Sequence, residues 1–372
     1  MDFFSLSELS DRTGAKWGRY PKDTIACWIA DMDFPVAAPV QAAIDAYVSE
    51  GDFGYAALYE QRDAVVVLCD WLSRRHDWSP DPDLGLVVGD VMMGVAGAIQ
   101  MFTEPGDGII LQVPIYHPFL KAVRTAGRRV VENPLAEDWS VDLEGLAIAA
   151  QSASMMLLSH PHNPSGRVFT RAELESIAAI ALENDLIVLS DEIHADLVFA
   201  PHSHLPLQMV GPEIAARTIT MVSASKSFNI AGIGVGVLLF GSRATKEVFE
   251  ALPSSLLGYP RSIGIEASKG AWIHGAEWLE ETKSILGGNR DALRAWVDEA
   301  DGITMHTPEA TYLAWLDFRS WGLDDPATAL LDQKVSLSRG LDFGEQGRGY
   351  ARLNFATSPE IFSEILRRIG SR

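Results

Sequence analysis

The chain has 372 residues, 47% of them hydrophobic and 22% charged, which is enough apolar material for two domains with buried cores. Its 50 acidic and 30 basic residues give a formal net charge of −20, which argues against nucleic acid or membrane lipid as a partner. Two cysteines exclude a disulfide scaffold, and the absence of a secretory pattern or a bilayer-length apolar run predicts a cytoplasmic protein.

The predicted secondary structure begins with a Trp- and Asp-rich segment, Trp28–Pro35, and a helix near Val40–Ser49. From about 84 to 241, short aliphatic runs alternate with amphipathic stretches. The predicted strands are Leu86–Val88, Ile109–Val113, Arg129–Glu132, Met155–Ser159, Leu186–Asp191, Thr218–Ser223 and Val235–Phe240. The predicted helices between them include Gly94–Phe102, Pro118–Ala126 and Arg171–Asn184. This alternation predicts an α/β domain around a mostly parallel sheet, with ligands beyond the carboxyl ends of its strands.

The rest of the chain predicts long helices from about 261 to 297 and then a smaller unit of mixed strands and helices. The elements of that unit are, in order, Ile303–Met305, Thr311–Asp317, Ala327–Leu331, Val335–Leu337, Tyr350–Phe355 and Glu360–Ile369. This order is an α+β pattern and predicts a second, smaller domain.

A lysine stands among small hydroxyl residues in Ser223-Ala-Ser-Lys226-Ser-Phe-Asn229, at the end of a predicted strand. An amine in this position can hold an aldehyde as a Schiff base while serine side chains bind a phosphate. A solvated lysine on a Ser-rich loop is the alternative, and this stretch alone favours that alternative.

An aspartate follows a predicted buried strand in Val188-Leu-Ser-Asp191-Glu-Ile-His194. A buried carboxylate needs a cationic partner, and a protonated pyridine nitrogen would be one. A helix N-cap and a magnesium-binding aspartate are the alternatives. The chain has no Gly-x-x-x-x-Gly-Lys-Ser/Thr loop, which removes a nucleotide hydrolase as the main competing interpretation.

An asparagine lies between two prolines in His160-Pro-His-Asn163-Pro-Ser-Gly166, again just beyond a predicted strand. The prolines would fix its side chain for one hydrogen bond, although an ordinary proline turn is the alternative. The spacing of His194, His202 and His204 matches no compact zinc motif, so we expect no metal.

Together these three motifs, in this order and spacing, resemble fold-type-I enzymes that depend on pyridoxal 5′-phosphate (PLP). The amino-acid sequences of four stretches are similar to those of the MalY/PatB-like cystathionine β-lyase branch of the aminotransferase superfamily. This resemblance extends from about Lys16 to the C-terminus. These stretches are Trp28–Pro35, Pro161–Arg167, Ser190–Leu197 and Ser223–Gly232. The resemblance implies the α/β fold of aspartate aminotransferase. It also implies an N-terminal segment 1–46 that contributes to the small domain, a large PLP-binding domain 47–285 and a C-terminal small domain 286–372.

The resemblance implies roles for five residues around the cofactor ring. Lys226 would carry PLP as a Schiff base and move the Cα proton of the substrate. Asp191 would pair with the pyridine nitrogen, and Asn163 would donate a hydrogen bond to the phenolic oxygen. Tyr116 would stack on the ring, and His194 would belong to the cofactor-binding set.

Four further residues are implied for the phosphate of PLP. Val91 and Met92, in the turn before the predicted helix from Gly94, would offer backbone N–H groups, and Ser223 its hydroxyl. Tyr55 would reach the phosphate from the neighbouring subunit, which implies a homodimer.

For the substrate, the resemblance implies that Arg352 clamps the carboxylate, helped by the backbone around Ala30 and by Tyr55. The function it implies is β-elimination from cystathionine or a related cysteine thioether, which yields a thiol, pyruvate and ammonia. An aminotransferase of amino acids needs the same side chains and is the alternative. In both cases the ligand is a small amino acid.

Overall fold

The structure, a computed structural model, describes residues 1–370 apart from the side chain at position 254, so the last two residues of the predicted small domain lie outside it. The strands are β1 Ile25–Ala26, β2 Gly85–Val88, β3 Gly108–Val113, β4 Arg129–Pro134, β5 Met155–Ser159, β6 Ile187–Asp191, β7 Thr218–Val222, β8 Gly236–Phe240, β9 Thr304–Met305, β10 Leu313–Asp317, β11 Val335–Ser336, β12 Ser338–Arg339 and β13 Tyr350–Asn354. The helices are α1 Leu6–Ser10, α2 Ala15–Gly18, α3 Ala38–Glu50, α4 Leu58–His76, α5 Val91–Phe102, α6 His117–Thr125, α7 Leu143–Ala150, α8 Arg171–Glu183, α9 Pro212–Ala216, α10 Ala224–Ser227, α11 Arg243–Glu250, α12 Ser262–His274, α13 Ala276–Glu299, α14 Pro326–Leu330 and α15 Pro359–Gly370.

Seven strands form the central sheet in the order β2-β8-β7-β6-β5-β3-β4. The five strands from β7 to β4 are parallel to one another, whereas β8 is antiparallel to both β7 and β2. The mostly parallel sheet that the sequence predicts is therefore confirmed. The inner strands β3, β5 and β7 are buried along their whole length, which explains why they read as continuous aliphatic runs.

Helix α4, of 19 residues, is the longest element missing from the predictions. Its sequence is mostly polar, but Val65, Leu68 and Leu72 are buried on one side. The helix lies so close to the sheet edge that a Cβ on Gly85 would be 2.2 Å from Val65 Cγ1. Only glycine permits this approach of helix and strand.

The smaller unit contains an antiparallel sheet in the order β12-β13-β10-β9. Strand β1 pairs in parallel with β11, with Ile25 opposite Val335, so the N-terminal segment is joined to the C-terminal part of the chain. This pairing supports the proposed contribution of residues 1–46 to the small domain. The proposed boundary at 285/286 falls inside α13, a continuous helix that would connect the two domains.

No helix within residues 1–370 is both long enough and apolar enough to cross a membrane.

Candidate active site

A cavity of about 530 Å³ lies beyond the carboxyl ends of the parallel strands, where the smaller unit faces the sheet. Ten of the eleven predicted site residues line it. They are Ala30, Val91, Met92, Tyr116, Asn163, Asp191, His194, Ser223, Lys226 and Arg352. They come from sequence positions as far apart as 30 and 352, and the fold brings them to one place.

Asp191 ends β6, in register with Ser159 of β5 and Met221 of β7. Its side chain is 6% exposed, and the only hydrogen bond it receives in the described chain is from Ile193 N at 3.4 Å. Burial raises the pKa of Asp191 to about 7, and the nearby Lys226 opposes this rise only in part. A buried carboxylate with so little compensation suits a cationic ligand atom.

Lys226 lies in the single turn α10, which Ser223 caps by accepting a hydrogen bond from Ser225 N at 3.1 Å. Its Nζ donates to the carbonyl of Ala30 at 2.9 Å, as does the hydroxyl of Tyr312. Burial lowers the pKa of Lys226, and the carboxylate of Asp31 opposes this effect. A lowered pKa favours the neutral amine, which is the form that attacks an aldehyde.

The N-terminus of α5 lies at the same end of the sheet. The helix begins at Val91, three residues before the predicted start at Gly94, because the Asp90 side chain caps it by accepting from Met92 N at 2.7 Å. A Cβ on Gly236 would be 3.2 Å from Val91 N, so glycine keeps this approach open. A helix N-terminus of this length attracts anions, although here the Met92 N–H is already engaged by Asp90.

Arg352, on β13, is 4% exposed and reaches three acceptors in the pocket wall. It donates to Asn163 Oδ1 at 3.0 Å, and to the Trp28 carbonyl and Ser338 Oγ at 3.1 Å. Its guanidinium carbon lies 4.8 Å from the centre of the Phe343 ring. Burial lowers the pKa of Arg352 to about 10, so the group stays cationic at neutral pH. Its Nε has no partner in the described chain and points to a missing acceptor.

His194 and Tyr116 complete the interior of the pocket. The buried Nδ1 of His194 has no hydrogen-bond partner among the described residues, and burial lowers the pKa of His194 to about 3, which makes the ring neutral. Burial also raises the pKa of Tyr116, so its hydroxyl is protonated. The Tyr116 ring packs edge-on against Phe119 at 5.4 Å.

Tyr55 is the predicted residue that the fold leaves outside the cavity. Its side chain is 89% exposed, and its ring lies 5.6 Å from that of Tyr259. The assignment of this tyrosine to a neighbouring subunit stays a prediction.

Sequence reasoning missed several residues that line the pocket. Asp31 and Trp28 stand in the Trp- and Asp-rich segment, where the sequence pattern assigns no role to these two side chains, while Phe343 ends a short 3-10 helix, Gly340–Phe343, that has no distinctive pattern. The density of tryptophan and aspartate in that segment was the available signal for the first two.

These features fit the PLP group that the resemblance implies. The buried Lys226, with its lowered pKa, can bind an aldehyde. The uncompensated Asp191 can pair with a ring nitrogen, and the N-terminus of α5 can bind a phosphate. The cavity volume falls within the range of pockets for ligands of this size. Within residues 1–370, no group of three or more His, Cys, Asp or Glu side chains is arranged to hold a metal ion.

Comparison with known proteins agrees with this site. The family described as aminotransferase class I and II matches residues 30–369. The cystathionine β-lyase PatB of Bacillus subtilis is 34% identical, with 96% of this chain and 94% of the relative covered. The cystathionine β-lyase of Corynebacterium glutamicum is 32% identical, with both chains fully covered. The PLP-containing structure of cystalysin from Treponema denticola has a TM-score of 0.93 and 27% identity, covering 100% of this chain and 98% of that one.

Proposed function

Because this chain belongs to the class I and II aminotransferase family, we propose that it is a PLP-dependent carbon–sulfur β-lyase. Its substrate would be cystathionine or a related cysteine thioether, and its products a thiol, pyruvate and ammonia. The observation that carries the proposal is the placement of Lys226, Asp191 and Arg352 around one buried cavity. Relatives named cystathionine β-lyase at 34% and 32% identity support the lyase among the reactions that such a cavity permits.

Each part of the cofactor has a place among these residues. Lys226 would bind the aldehyde, and Asp191 would pair with the ring nitrogen. Asn163 would donate a hydrogen bond to the phenolic oxygen, and Tyr116 would stack on the face of the ring. The phosphate would lie at the start of α5 beside Ser223, with His194 at the ring edge. When bound, PLP supplies an electron sink for charge that develops on the substrate Cα.

Arg352 orients the substrate. Its planar guanidinium can bind a carboxylate through two parallel hydrogen bonds, and the unpartnered Nε is one of the donors available for this. Asn163, Trp28 and Ser338 hold the guanidinium in place, so the substrate carboxylate meets a preorganised group.

Lys226 moves the proton. Its Nζ accepts the Cα proton of the substrate, because burial favours the neutral form of the amine. The electron pair of the Cα–H bond forms the Cα–Cβ double bond as the Cβ–S bond breaks and the thiolate leaves. The protonated Nζ is then the nearest acid that can return a proton.

The alternative is amino transfer, which the description of the matching family favours. Amino transfer uses the same lysine but delivers the proton to a carbon other than the substrate Cα. Because both reactions need the same side chains, the products distinguish the two functions better than the geometry of the site does.

We propose a homodimer as the working unit. Tyr55 and Tyr259, which are 89% and 64% exposed and whose rings lie 5.6 Å apart, form an exposed aromatic patch, and Phe53 and Tyr59 on either side of Tyr55 in the chain are each 68% exposed. The loop that carries Tyr259 lies against the start of α5, where the amide of Gly89 donates to the Leu257 carbonyl at 3.2 Å. A second copy that covers this patch would place an aromatic hydroxyl beside the phosphate.

We also propose a cytoplasmic location. The two cysteines, Cys27 and Cys69, are both free and buried, which suits a reducing compartment.

The test is product analysis with the purified holoenzyme and L-cystathionine. Pyruvate formed in proportion to thiol, with no added keto acid, would support the lyase. Amino transfer that requires a keto acid, with no thiol released, would replace it by the aminotransferase. Sedimentation of the active enzyme as a monomer would refute the dimer alone.

A further inference from the structure

The carbonyl oxygen of Ala30 accepts hydrogen bonds from two side chains. Lys226 Nζ and the hydroxyl of Tyr312 each donate to it at 2.9 Å. A carbonyl oxygen has two lone pairs, so these two donors occupy both of its acceptor directions. Lys226 carries out the proton transfer of the proposed reaction, whereas Tyr312, which is 1% exposed, lies behind the cavity wall and has no role in that reaction so far.

The Ala30 carbonyl is held in place by the backbone on either side of it. The neighbouring carbonyls, those of Ile29 and Asp31, both accept from Asn354 Nδ2 at 2.6 Å. Ala30 is itself buried, so bulk water does not compete for its oxygen. The oxygen is therefore a fixed point to which the amine of Lys226 is bound.

The side chain of Tyr312 is fixed from its own part of the chain. Thr311, just before it, has a left-handed φ of 70° and donates from its N–H to the Leu197 carbonyl at 2.9 Å. The Tyr312 carbonyl accepts from Phe355 N, just after β13, at 2.9 Å. Burial, and after it the carboxylate of Asp31, raises the pKa of Tyr312 well above its usual value, so the hydroxyl is protonated and able to donate.

We propose that Tyr312 is a positioning residue that aims the lone pair of Lys226 Nζ at the substrate Cα. This inference rests on the proposed function, in which Lys226 Nζ accepts the Cα proton. A hydrogen bond donated by one N–H of an amine restricts the directions in which its lone pair points. Because Tyr312 fills one acceptor direction of the Ala30 oxygen, only the other is open to the amine, and the lone pair is restricted further.

The same hydrogen bond serves the transfer in both directions. As the Cα–H bond breaks, its proton forms a third N–H bond on Nζ of Lys226, and the electron pair stays with the substrate. The N–H donated to the Ala30 carbonyl then belongs to a cation, which makes that hydrogen bond stronger. The ammonium is thus held at the same point until it returns the proton.

The test is exchange of the Cα proton of L-alanine for deuterium in D2O, followed by NMR with the purified holoenzyme. Alanine has no leaving group, so its exchange reports on proton removal and return alone and is shared by a lyase and an aminotransferase. Tyr312→Phe removes the hydroxyl and keeps the ring. The maximal exchange rate should fall about tenfold, because the base is less well aimed. The alanine concentration for half-maximal exchange, which depends on Arg352, should stay within about twofold of the wild-type value.

The matched control is Tyr350→Phe. Tyr350 is also buried, but its ring packs against Trp315 at 5.4 Å, outside the cavity. Loss of its hydroxyl should change neither the exchange rate nor the half-maximal concentration.

Rescue of Lys226→Ala by added ethylamine separates positioning from a structural role. An unattached amine can approach Cα from several positions, so its reaction does not depend on one hydrogen bond. Tyr312→Phe added to Lys226→Ala should therefore change the rescued exchange rate by less than about twofold. A loss in the rescued enzyme as large as in the enzyme with Lys226 would show that Tyr312 supports the whole pocket and would overturn the inference.

A crystal structure of the PLP-free Tyr312→Phe protein is a readout independent of turnover. Lys226 Nζ should occupy more than one position around the Ala30 oxygen. A single position with the 2.9 Å contact retained, or an exchange rate within about twofold of the wild type, would overturn the inference. Exchange of alanine without pyruvate from L-cystathionine would refute the lyase alone, whereas absence of exchange in the wild type would remove Lys226 as the base and the inference with it.

Discussion

Replacing Asp191 by asparagine should stabilise the cofactor-free protein while it damages the site. Asp191 is buried without a cationic partner, and its pKa rises from 3.8 to about 7. Because the pKa of Asp191 is raised in the folded state, its contribution to the free energy of unfolding is fully present below pH 3.8. This contribution is lost as the pH rises through 7. At about 1.4 kcal/mol per pH unit, the ionised carboxylate costs the folded state about 4 kcal/mol at pH 8. An asparagine has no charge to bury.

The assay is urea unfolding of the PLP-free proteins at several pH values, followed by circular dichroism. The free energy of unfolding of Asp191→Asn minus that of the wild type should grow between pH 5 and pH 8 by about 3 kcal/mol. Addition of PLP should reverse the order of the two proteins at pH 8, since a bound pyridinium compensates the aspartate and not the asparagine.

Asp196→Asn is a control of opposite sign. Burial by itself would raise the pKa of Asp196, but the hydrogen bond from His76 at 3.1 Å, together with the positive charges of His76 and Arg75, outweighs burial and lowers the pKa. A lowered pKa stabilises the folded state above the unfolded pKa, so this variant should be less stable than the wild type at pH 8. A difference between Asp191→Asn and wild type that does not change with pH would refute the proposed burial of an uncompensated charge.

Two further predictions concern the substrate clamp and the turn that follows strand β8. Arg352→Lys should lower kcat/KM for pyruvate release about 100-fold, since an ammonium cannot bind a carboxylate in the bidentate geometry of a guanidinium; an effect below about threefold would exclude Arg352 as the clamp. Gly241→Ala should lower the free energy of unfolding by more than about 2 kcal/mol, because its Cβ would be 1.7 Å from the Ala215 carbonyl oxygen. Gly232→Ala, with nothing within 4 Å of the new Cβ, is the control, and equal stability of the two variants in thermal unfolding would contradict the packing described.

The sheet and the centre of the site were predictable because each depends on a local pattern. Strands buried on both faces read as aliphatic runs, and strand β5 begins and ends where the sequence predicts. Asp191 and Ser223 stand at the end of predicted strands, so a parallel sheet brings them together without further information.

The missed features depend on contacts between distant parts of the chain. Helix α4 is mostly polar and gains its apolar contacts against distant elements, among them the sheet and α12. Trp28 and Asp31 reach the pocket because β1 pairs with β11, some 310 residues further along the chain. By contrast, the early start of α5 had a local signal, since aspartate at position 90 is a common N-cap.

The most direct test of the central claim is to locate the cofactor on the chain. Borohydride reduces the bond between a lysine amine and an aldehyde to a stable secondary amine, and mass spectrometry of the peptides then identifies the lysine. We expect the phosphopyridoxyl group on Lys226 alone, and its loss in Lys226→Ala. Label on a different lysine, or no label after incubation with PLP, would contradict the site described.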